Sequence, residues 1–247
     1  MTQSSKILVT GASSGLGREL AQQLAARGDI VIATARREDK LKSLASIEAI
    51  SAHVLDLTDT IAVHNFCESL ASLDGLVLNA GVTFADDFVK GDYAQDCNLV
   101  QTNILANLQL IRLCLPALTA SKGRILIIAS LAGLTPVPYQ SVYAGTKAFM
   151  VNFGQSLREE LAASGVKVSV FAPGGIETEM TDIPAMAHLK KSLAPVDSVA
   201  KAAIETYDDM PSLHVPGFQN KLIAFAGKIM PRSFLACLLY TSDAADE

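Results

Sequence analysis

The chain has 247 residues, a hydrophobic fraction of 50% and a formal net charge of −5 at pH 7. This length and apolar content support one large core, and α/β folds of this size are often single domains. The 20 lysines and arginines form no run, so the acidic balance argues against nucleic acid as a partner. Because no uninterrupted apolar run reaches ~18 residues, we expect no membrane-spanning helix.

The cysteines and histidines show no metal-binding pattern. The four cysteines lie far apart without a C-x-x-C pair, and the four histidines show no H-x-x-x-H spacing. We therefore expect buried, reduced thiols and no metal. The first strand begins too close to the N-terminus for a signal peptide to precede it, which predicts a cytoplasmic protein.

Strand, turn and helix alternate along the chain. Strands are predicted at 6–10, 29–35, 73–81, 123–130 and 166–175, and the segment 52–59 is predicted as a further strand followed by a turn. Helices are predicted at 16–28, 38–46, 60–72, 95–120 and 141–164. Strands that are apolar on both faces and alternate with helices indicate a parallel sheet between two helical layers. We therefore predict a Rossmann-type, doubly wound α/β fold, with the ligand at the carboxyl ends of the strands.

No linker or internal repeat divides the chain. We predict a single domain over residues 1–236, with a nucleotide-binding half at 1–130 and a catalytic and substrate-binding half at 131–236. The acidic segment "CLLYTSDAADE" at 237–247 resembles a translated sequencing-adapter read-through. The alternative is a native tail, and either origin predicts disorder.

The stretch "GASSG" after the first strand fits two kinds of site. It matches G-x-S-x-G, which presents Ser13 as a hydrolase nucleophile, but several strands normally precede that motif and no histidine follows in a recognisable context. Alternatively, Gly11, Gly15 and Gly17 form a turn that lets the backbone approach a pyrophosphate at a helix N-terminus. We favour the phosphate turn, with Ser13 and Ser14 as donors, over a simple tight turn.

The residues after the second strand indicate which cofactor would bind. Dinucleotide sites usually carry a polar reader of the adenosine ribose about 20 residues after the glycines, and an acid there pairs with a free 2′-hydroxyl. This chain has Arg36 and Arg37 instead, and guanidinium groups bind phosphate by paired hydrogen bonds. We therefore predict NADP(H) over NAD(H), the alternative being two solvated arginines. Asp56 is placed either to touch the adenine edge or to form a turn.

Tyr143 and Lys147 are spaced i, i+4 and share one face of a helix. The pKa of a phenol is ordinarily near ~10, and lowering it by ~3 units requires about 4 kcal/mol. A neighbouring ammonium and a positive nicotinamide ring supply this order of energy. Tyr143 would then exchange a proton with a carbonyl or alcohol oxygen, which Ser130 orients. Asn103 either holds a water that relays protons to Lys147 or is a satisfied buried amide.

Together these motifs resemble the short-chain dehydrogenase/reductase family over about residues 5–230. "TGASSGLG" at 10–17 is similar to T-G-x-x-x-G-x-G, "NAG" at 79–81 to N-A-G, and "PGGIET" at 173–178 to P-G-x-x-x-T. The resemblance implies hydride transfer between nicotinamide C4 and a carbonyl carbon without a metal. It implies that Lys147 binds the nicotinamide ribose and that Asn103 anchors a water relay. It also implies a dimer or tetramer assembled through the two long helices.

The motifs and the resemblance together assign the site residues. The predicted catalytic residues are Asn103, Ser130, Tyr143 and Lys147. The predicted cofactor-binding residues are Gly11, Ser13, Ser14, Gly15, Leu16, Gly17, Arg36, Arg37, Asp56, Leu57, Asn79, Ala80, Gly81, Tyr143, Lys147, Pro173, Gly174, Ile176 and Thr178. The predicted substrate contacts are Ser130, Tyr139 and Tyr143.

The substrate is expected to be a fairly hydrophobic ketone, aldehyde or secondary alcohol. An apolar lid is predicted at Pro184, Met186 and Leu189, and the other wall of the pocket at Phe84, Phe88, Val137 and Tyr139. The alternative from another class is a non-catalytic, NADP-binding sensor on the same scaffold. Such proteins typically lose the tyrosine or the lysine, and this chain keeps both.

Overall fold

A computed structural model describes residues 4–182 and 193–231 of the chain. Its strands are β1 (Lys6–Thr10), β2 (Ile30–Ala35), β3 (Ile50–Val54), β4 (Gly75–Leu78), β5 (Arg124–Ile128), β6 (Lys167–Phe171) and β7 (Leu213–His214). They form one sheet in the order β3-β2-β1-β4-β5-β6-β7, and every pairing in it is parallel. The predicted doubly wound α/β fold is confirmed.

Helices cover both faces of this sheet. They are α1 (Gly15–Ala26), α2 (Glu38–Ala45), α3 (Thr60–Glu68), α4 (Tyr93–Val100), α5 (Ala106–Ser121), α6 (Ser141–Leu161), α7 (Val196–Asp209) and α8 (Phe218–Ile229). Alternate strand residues pack into opposite layers. Ile7 and Val9 join the core under α1, α2 and α7, whereas Leu8 joins the core under α3, α5 and α6. Because both strand faces are buried, the strands read as continuous apolar runs.

Several elements differ from the predicted ones, and helices α7 and α8 lie in segments for which no helix was predicted. Strand β3 spans Ile50–Val54 and so begins two residues before the strand and turn predicted at 52–59, and Asp59 in that turn caps α3 by accepting from two backbone N–H groups. Strand β7 is only two residues long, too short to show a period in the sequence. The helix predicted at 95–120 begins at Tyr93 and contains a π-helical segment, Gln101–Leu105, between α4 and α5.

By length and composition alone, the helical stretch Tyr93–Ser121 would be long and apolar enough to cross a membrane. Its buried side chains, which include Leu110, Cys114 and Leu118, belong to the core on one face of the sheet. That packing is typical of a core helix.

Cys67 is also buried, whereas Cys97 is exposed, contrary to the expectation that the thiols are buried. The predicted lid and the 237–247 segment lie outside the described residues.

Candidate active site

A cleft of about 760 Å³ opens at the carboxyl edge of the sheet. It lies where the strand order reverses, since β1 has β2 on one side and β4 on the other. Ligands of open parallel sheets bind at such a switch point. The predicted site residues that line the cleft are Gly11, Ser13, Ser14, Gly15, Leu16, Arg36, Arg37, Asp56, Leu57, Asn79, Ala80, Gly81, Ser130, Tyr143, Lys147, Pro173, Ile176 and Thr178.

The turn between β1 and α1 needs its glycines for two different reasons. Gly11 (φ +69°) and Gly15 (φ +53°) adopt the left-handed conformation that glycine accepts without strain. Gly17 allows close packing, because a Cβ there would lie 2.5 Å from the carbonyl oxygen of Gly11 and 2.3 Å from Nδ2 of Asn79. The turn therefore holds the start of α1, with its unpaired N–H groups, against the cleft.

Asn79 and Thr10 fasten β4 to β1 beside this turn. The Thr10 hydroxyl donates to the carbonyl of Val77 at 3.3 Å and accepts from the backbone N–H groups of Asn79 and Ala80, each at 3.0 Å. Nδ2 of Asn79 donates to the Thr10 carbonyl at 3.0 Å. These bonds keep the two strands in register at the point where the cleft opens.

Basic side chains from the end of β2 form one end of the cleft. Arg37 donates from Nη2 to the Ser13 hydroxyl at 3.1 Å. Arginine cannot accept the proton that a nucleophilic serine must lose, so this contact argues against the hydrolase interpretation of Ser13. Burial raises the pKa of Asp56, but hydrogen bonds from Thr58 and the charge of Arg36 outweigh it and hold the pKa below its ordinary value. Asp56 is therefore an anion beside Arg36.

The part of the cleft away from the basic side chains brings together Ser130, Tyr143 and Lys147. Ser130 follows β5, and its hydroxyl accepts from the N–H of Ala132 at 3.2 Å and is hydrogen-bonded to the phenol of Tyr143. Tyr143 lies in the first turn of α6, one turn before Lys147. Nζ of Lys147 donates to the carbonyl of Ile128 at 3.0 Å and lies 5.8 Å from the Tyr143 ring centroid.

Burial shifts the pKa values of both Tyr143 and Lys147. It raises the pKa of Tyr143, and the hydrogen bond from Ser130 lowers that pKa by less. Burial also lowers the pKa of Lys147 from 10.5 to about 8. The predicted lowering of the Tyr143 pKa depends on a bound nicotinamide ring as well as on Lys147, so it stays a prediction, while burial within the protein acts in the opposite direction. The structure holds the phenol protonated at neutral pH.

The sequence profile of the family described as short chain dehydrogenase matches residues 5–186. The chain belongs to this family. It is 35% identical over 189 residues to the 3-oxoacyl-acyl-carrier-protein reductase FabG of Haemophilus influenzae, covering 71% of this chain and 76% of that protein.

Two solved structures extend the similarity over nearly the whole chain. A short-chain dehydrogenase from Sphingobium yanoikuyae in complex with NADPH superposes with a TM-score of 0.82 at 29% identity, covering 91% of this chain and 93% of the other. A short-chain dehydrogenase from Streptomyces avermitilis superposes with a TM-score of 0.84 at 26% identity, covering 100% of both chains.

In this family member, Asn103 does not line the cleft. Its Nδ2 donates to the Val82 carbonyl (3.0 Å) and the Thr146 hydroxyl (3.1 Å), and its Oδ1 accepts from the Val82 N–H (2.9 Å). Both amide hydrogens are thus used within the protein, and only 1% of the residue is exposed. These contacts favour the satisfied buried amide over a side-chain water relay. The π-helical segment brings Asn103 to this junction with α6.

Three further predicted residues also lie outside the cleft lining. Gly17 packs beneath the turn, as described above. A Cβ on Gly174 would lie 2.6 Å from the side chain of Asn220 in α8, so Gly174 faces that helix. Tyr139 has φ +60° and lines a small adjoining hollow that also includes Phe84, Phe88 and Tyr143.

Sequence reasoning missed two residues at the site. A Cβ on Gly133 would lie 2.7 Å from the carbonyl oxygen of Lys147, so only glycine lets the loop after Ser130 pass this close to α6. Glu179 lines the cleft and forms ion pairs with Arg37 and Lys40. No local pattern signals these contacts, since each joins segments distant in the chain. Among residues 4–182 and 193–231, no group of three or more His, Cys, Asp or Glu side chains is placed to hold a metal ion.

Proposed function

We propose that this family member is an NADP(H)-dependent oxidoreductase that interconverts a hydrophobic ketone or aldehyde and the corresponding alcohol. The observation that carries the proposal is the Ser130–Tyr143 hydroxyl pair, with Lys147 one helical turn away, in a cleft that also carries Arg36 and Arg37. The NADPH complex of the Sphingobium yanoikuyae relative and the reductase name of the Haemophilus influenzae relative support it.

The residues present fit a dinucleotide. The turn at 11–15 provides backbone that a ligand approaches closely, because Gly11 and Gly15 have no Cβ and α1 begins there. Such a helix start suits a pyrophosphate. Arg36 and Arg37 would hold the 2′-phosphate, and Lys147 would hold the nicotinamide ribose. With the nucleotide held by these residues, the nicotinamide would supply its hydride chemistry at the part of the cleft that Tyr143 lines.

When bound, the nicotinamide supplies or accepts a hydride at the substrate carbon. In the reduction, Ser130 donates a hydrogen bond to the carbonyl oxygen and fixes its position. Tyr143 transfers its phenolic proton to that oxygen, and its raised pKa keeps the proton available at neutral pH. The Lys147 ammonium then stabilises the phenolate, since about 4 kcal/mol accompanies a 3-unit change in phenol pKa. Oxidation of an alcohol uses the same groups in reverse.

Apolar side chains near Tyr143 support an apolar substrate, although Asp86, Asp92 and Asp96 line the adjoining hollow. Phe84 lines both the cleft and the adjoining hollow, and Leu99, Tyr139 and Val142 line the hollow. Each buried methylene contributes about 0.8 kcal/mol, so longer apolar substrates should bind more tightly.

The assembly and location are further parts of the proposal. We propose a homodimer or homotetramer that buries the outer faces of the two long helical stretches, where Val100, Leu105 and Phe149 are exposed. The predicted cytoplasmic location stays a prediction.

A carbonyl panel tests the function directly. Purified protein and NADPH are mixed with aliphatic aldehydes, cyclic ketones and 3-oxoacyl thioesters, and NADPH oxidation is followed. Turnover is expected with at least one hydrophobic carbonyl. Tyr143→Phe should lower kcat by about 100-fold or more while the Kd for NADPH stays within about twofold, because general acid catalysis contributes ~10²–10⁴-fold. Tyr93→Phe, at an exposed tyrosine of α4, is the matched control and should keep full activity.

The other hypotheses predict different results. NADPH binding without turnover across the panel would favour the sensor. Ester cleavage that disappears in Ser13→Ala would favour the hydrolase. An unchanged kcat in Tyr143→Phe would contradict the role given to the phenol.

A further inference from the structure

Glu179 connects the loop after β6 to the basic end of the cleft. Its Oε2 accepts from Nη1 of Arg37 at 2.9 Å, and its Oε1 is hydrogen-bonded to the ammonium of Lys40. The two cations precede Glu179 by 142 and 139 positions in the chain. The carboxylate therefore neutralises part of the charge at the end of β2 and the start of α2.

Arg37 also binds the glycine turn. Its Nε and Nη2 lie 3.3 Å and 3.1 Å from the Ser13 hydroxyl, and Nη2 donates to the Ser14 hydroxyl. One guanidinium thus joins the phosphate turn, the end of β2 and the loop after β6. The side chains of Arg37 and Glu179 are 45% and 55% exposed, so a ligand entering the cleft reaches both.

We propose that Glu179 is an internal counter-ion that the 2′-phosphate of NADP(H) displaces from Arg37 and Lys40, and that Lys40 is a further phosphate-binding residue. This inference rests on the proposed function. A carboxylate and a phosphate use the same guanidinium and ammonium donors, so they compete for them. NAD(H) carries a neutral 2′-hydroxyl and leaves the ion pairs in place. Glu179 therefore reduces the preference for NADP(H) over NAD(H).

The carboxylate is ionised throughout the neutral range. Hydrogen bonds from Lys40 and Arg37 hold the pKa of Glu179 below its ordinary value. The competition therefore involves two anions, and added salt should weaken it. Exposed ion pairs are each weak, so removing both should change the affinity for NADP⁺ by about threefold to tenfold.

The test measures binding rather than activity. Isothermal titration gives the Kd for NADP⁺, and displacement of NADPH gives the Kd for NAD⁺, in the wild type and in three variants. Glu179→Gln keeps the shape of the side chain and removes its charge. Glu177→Gln is the matched control, because Glu177 is exposed on the same loop and forms no ion pair with the cations of the described residues. Lys40→Gln tests the second cation.

We expect Glu179→Gln to bind NADP⁺ about threefold to tenfold more tightly and NAD⁺ within about twofold of the wild type. Lys40→Gln should weaken NADP⁺ binding by at least about threefold and leave NAD⁺ binding unchanged. Glu177→Gln should leave the ratio of the two affinities unchanged.

Each contrary result has one meaning. An unchanged or lowered NADP⁺ preference in Glu179→Gln, or an equal rise in Glu177→Gln, would overturn the counter-ion role. Unchanged NADP⁺ binding in Lys40→Gln would overturn the assignment of Lys40. Wild-type protein that binds neither nucleotide would instead overturn the proposed function, which separates the two failures.

Discussion

The buried ammonium of Lys147 should destabilise the folded protein at neutral pH. Burial lowers its pKa from 10.5 to about 8, and at 1.36 kcal/mol per unit this difference costs about 3 kcal/mol. Between these two values the unfolded chain binds more protons than the folded one. Stability should therefore rise with pH through this window and should carry the full penalty below about pH 8.

Lys147→Met removes the charge and keeps most of the volume. The variant loses the hydrogen bond to the carbonyl of Ile128, which costs about 1–3 kcal/mol when that oxygen is left unpaired. At pH 7 the lost charge penalty offsets this cost, so the variant should be at least as stable as the wild type. It should nevertheless lose reductase activity, because no cation then stabilises the phenolate of Tyr143.

Urea unfolding of nucleotide-free protein at pH 7 and pH 9.5 measures this effect. Other titrating groups cancel when the wild type is compared with the variant at the same pH. The free energy of unfolding of the wild type, relative to Lys147→Met, should rise by about 2 kcal/mol between the two pH values. Lys201→Met, at an exposed position of α7, is the matched control and should show no such rise. If the difference in unfolding free energy between the wild type and Lys147→Met is the same at pH 7 and pH 9.5, this prediction is refuted.

Two glycine contacts give further predictions. Gly75→Ala should lower the free energy of unfolding by about 1–3 kcal/mol, because its Cβ would lie 2.0 Å from the hydroxyl of the buried Tyr207. Gly145→Ala is the control, because its Cβ would meet nothing within 4 Å, and it should be neutral or stabilising by up to about 1 kcal/mol. Similar urea midpoints for Gly75→Ala and Gly145→Ala would contradict this prediction. Gly133→Ala should lower kcat by roughly 100-fold, since its Cβ would push the loop after Ser130 away from α6. A normal kcat, with NADPH affinity as the control, would count against that packing.

The sheet is predictable from sequence because its strands are buried on both faces. A run such as "ILII" in β5 alternates between the two cores without a polar residue, so its burial is visible in one segment. The glycine turn is predictable for a similar reason. Its positive φ angles favour glycine at those positions, so the residue types themselves indicate the turn. Strand β7, with two residues, offers no such pattern.

Features that depend on distant packing were not predictable. The π-helical segment exists where Asn103 reaches both the Val82 backbone and the Thr146 hydroxyl, and neither contact is visible in the local sequence. The direction of the Tyr143 pKa shift depends on how deeply the phenol is buried. The ion pairs of Glu179 join segments about 140 residues apart. In each case the sequence shows the type of the residue but not the distant residues that pack around it.

The transfer of isotope from cofactor to product tests the central claim most directly. NADPH carrying deuterium at one face of nicotinamide C4 is mixed with the protein and a carbonyl substrate found in the panel, and the alcohol is examined by mass spectrometry and NMR. We predict one deuterium on the carbinol carbon from one of the two labelled faces, and loss of this product in Tyr143→Phe with NADPH binding retained. Alcohol without deuterium from either face, or equal labelling by Tyr143→Phe, would contradict hydride transfer assisted by the phenol.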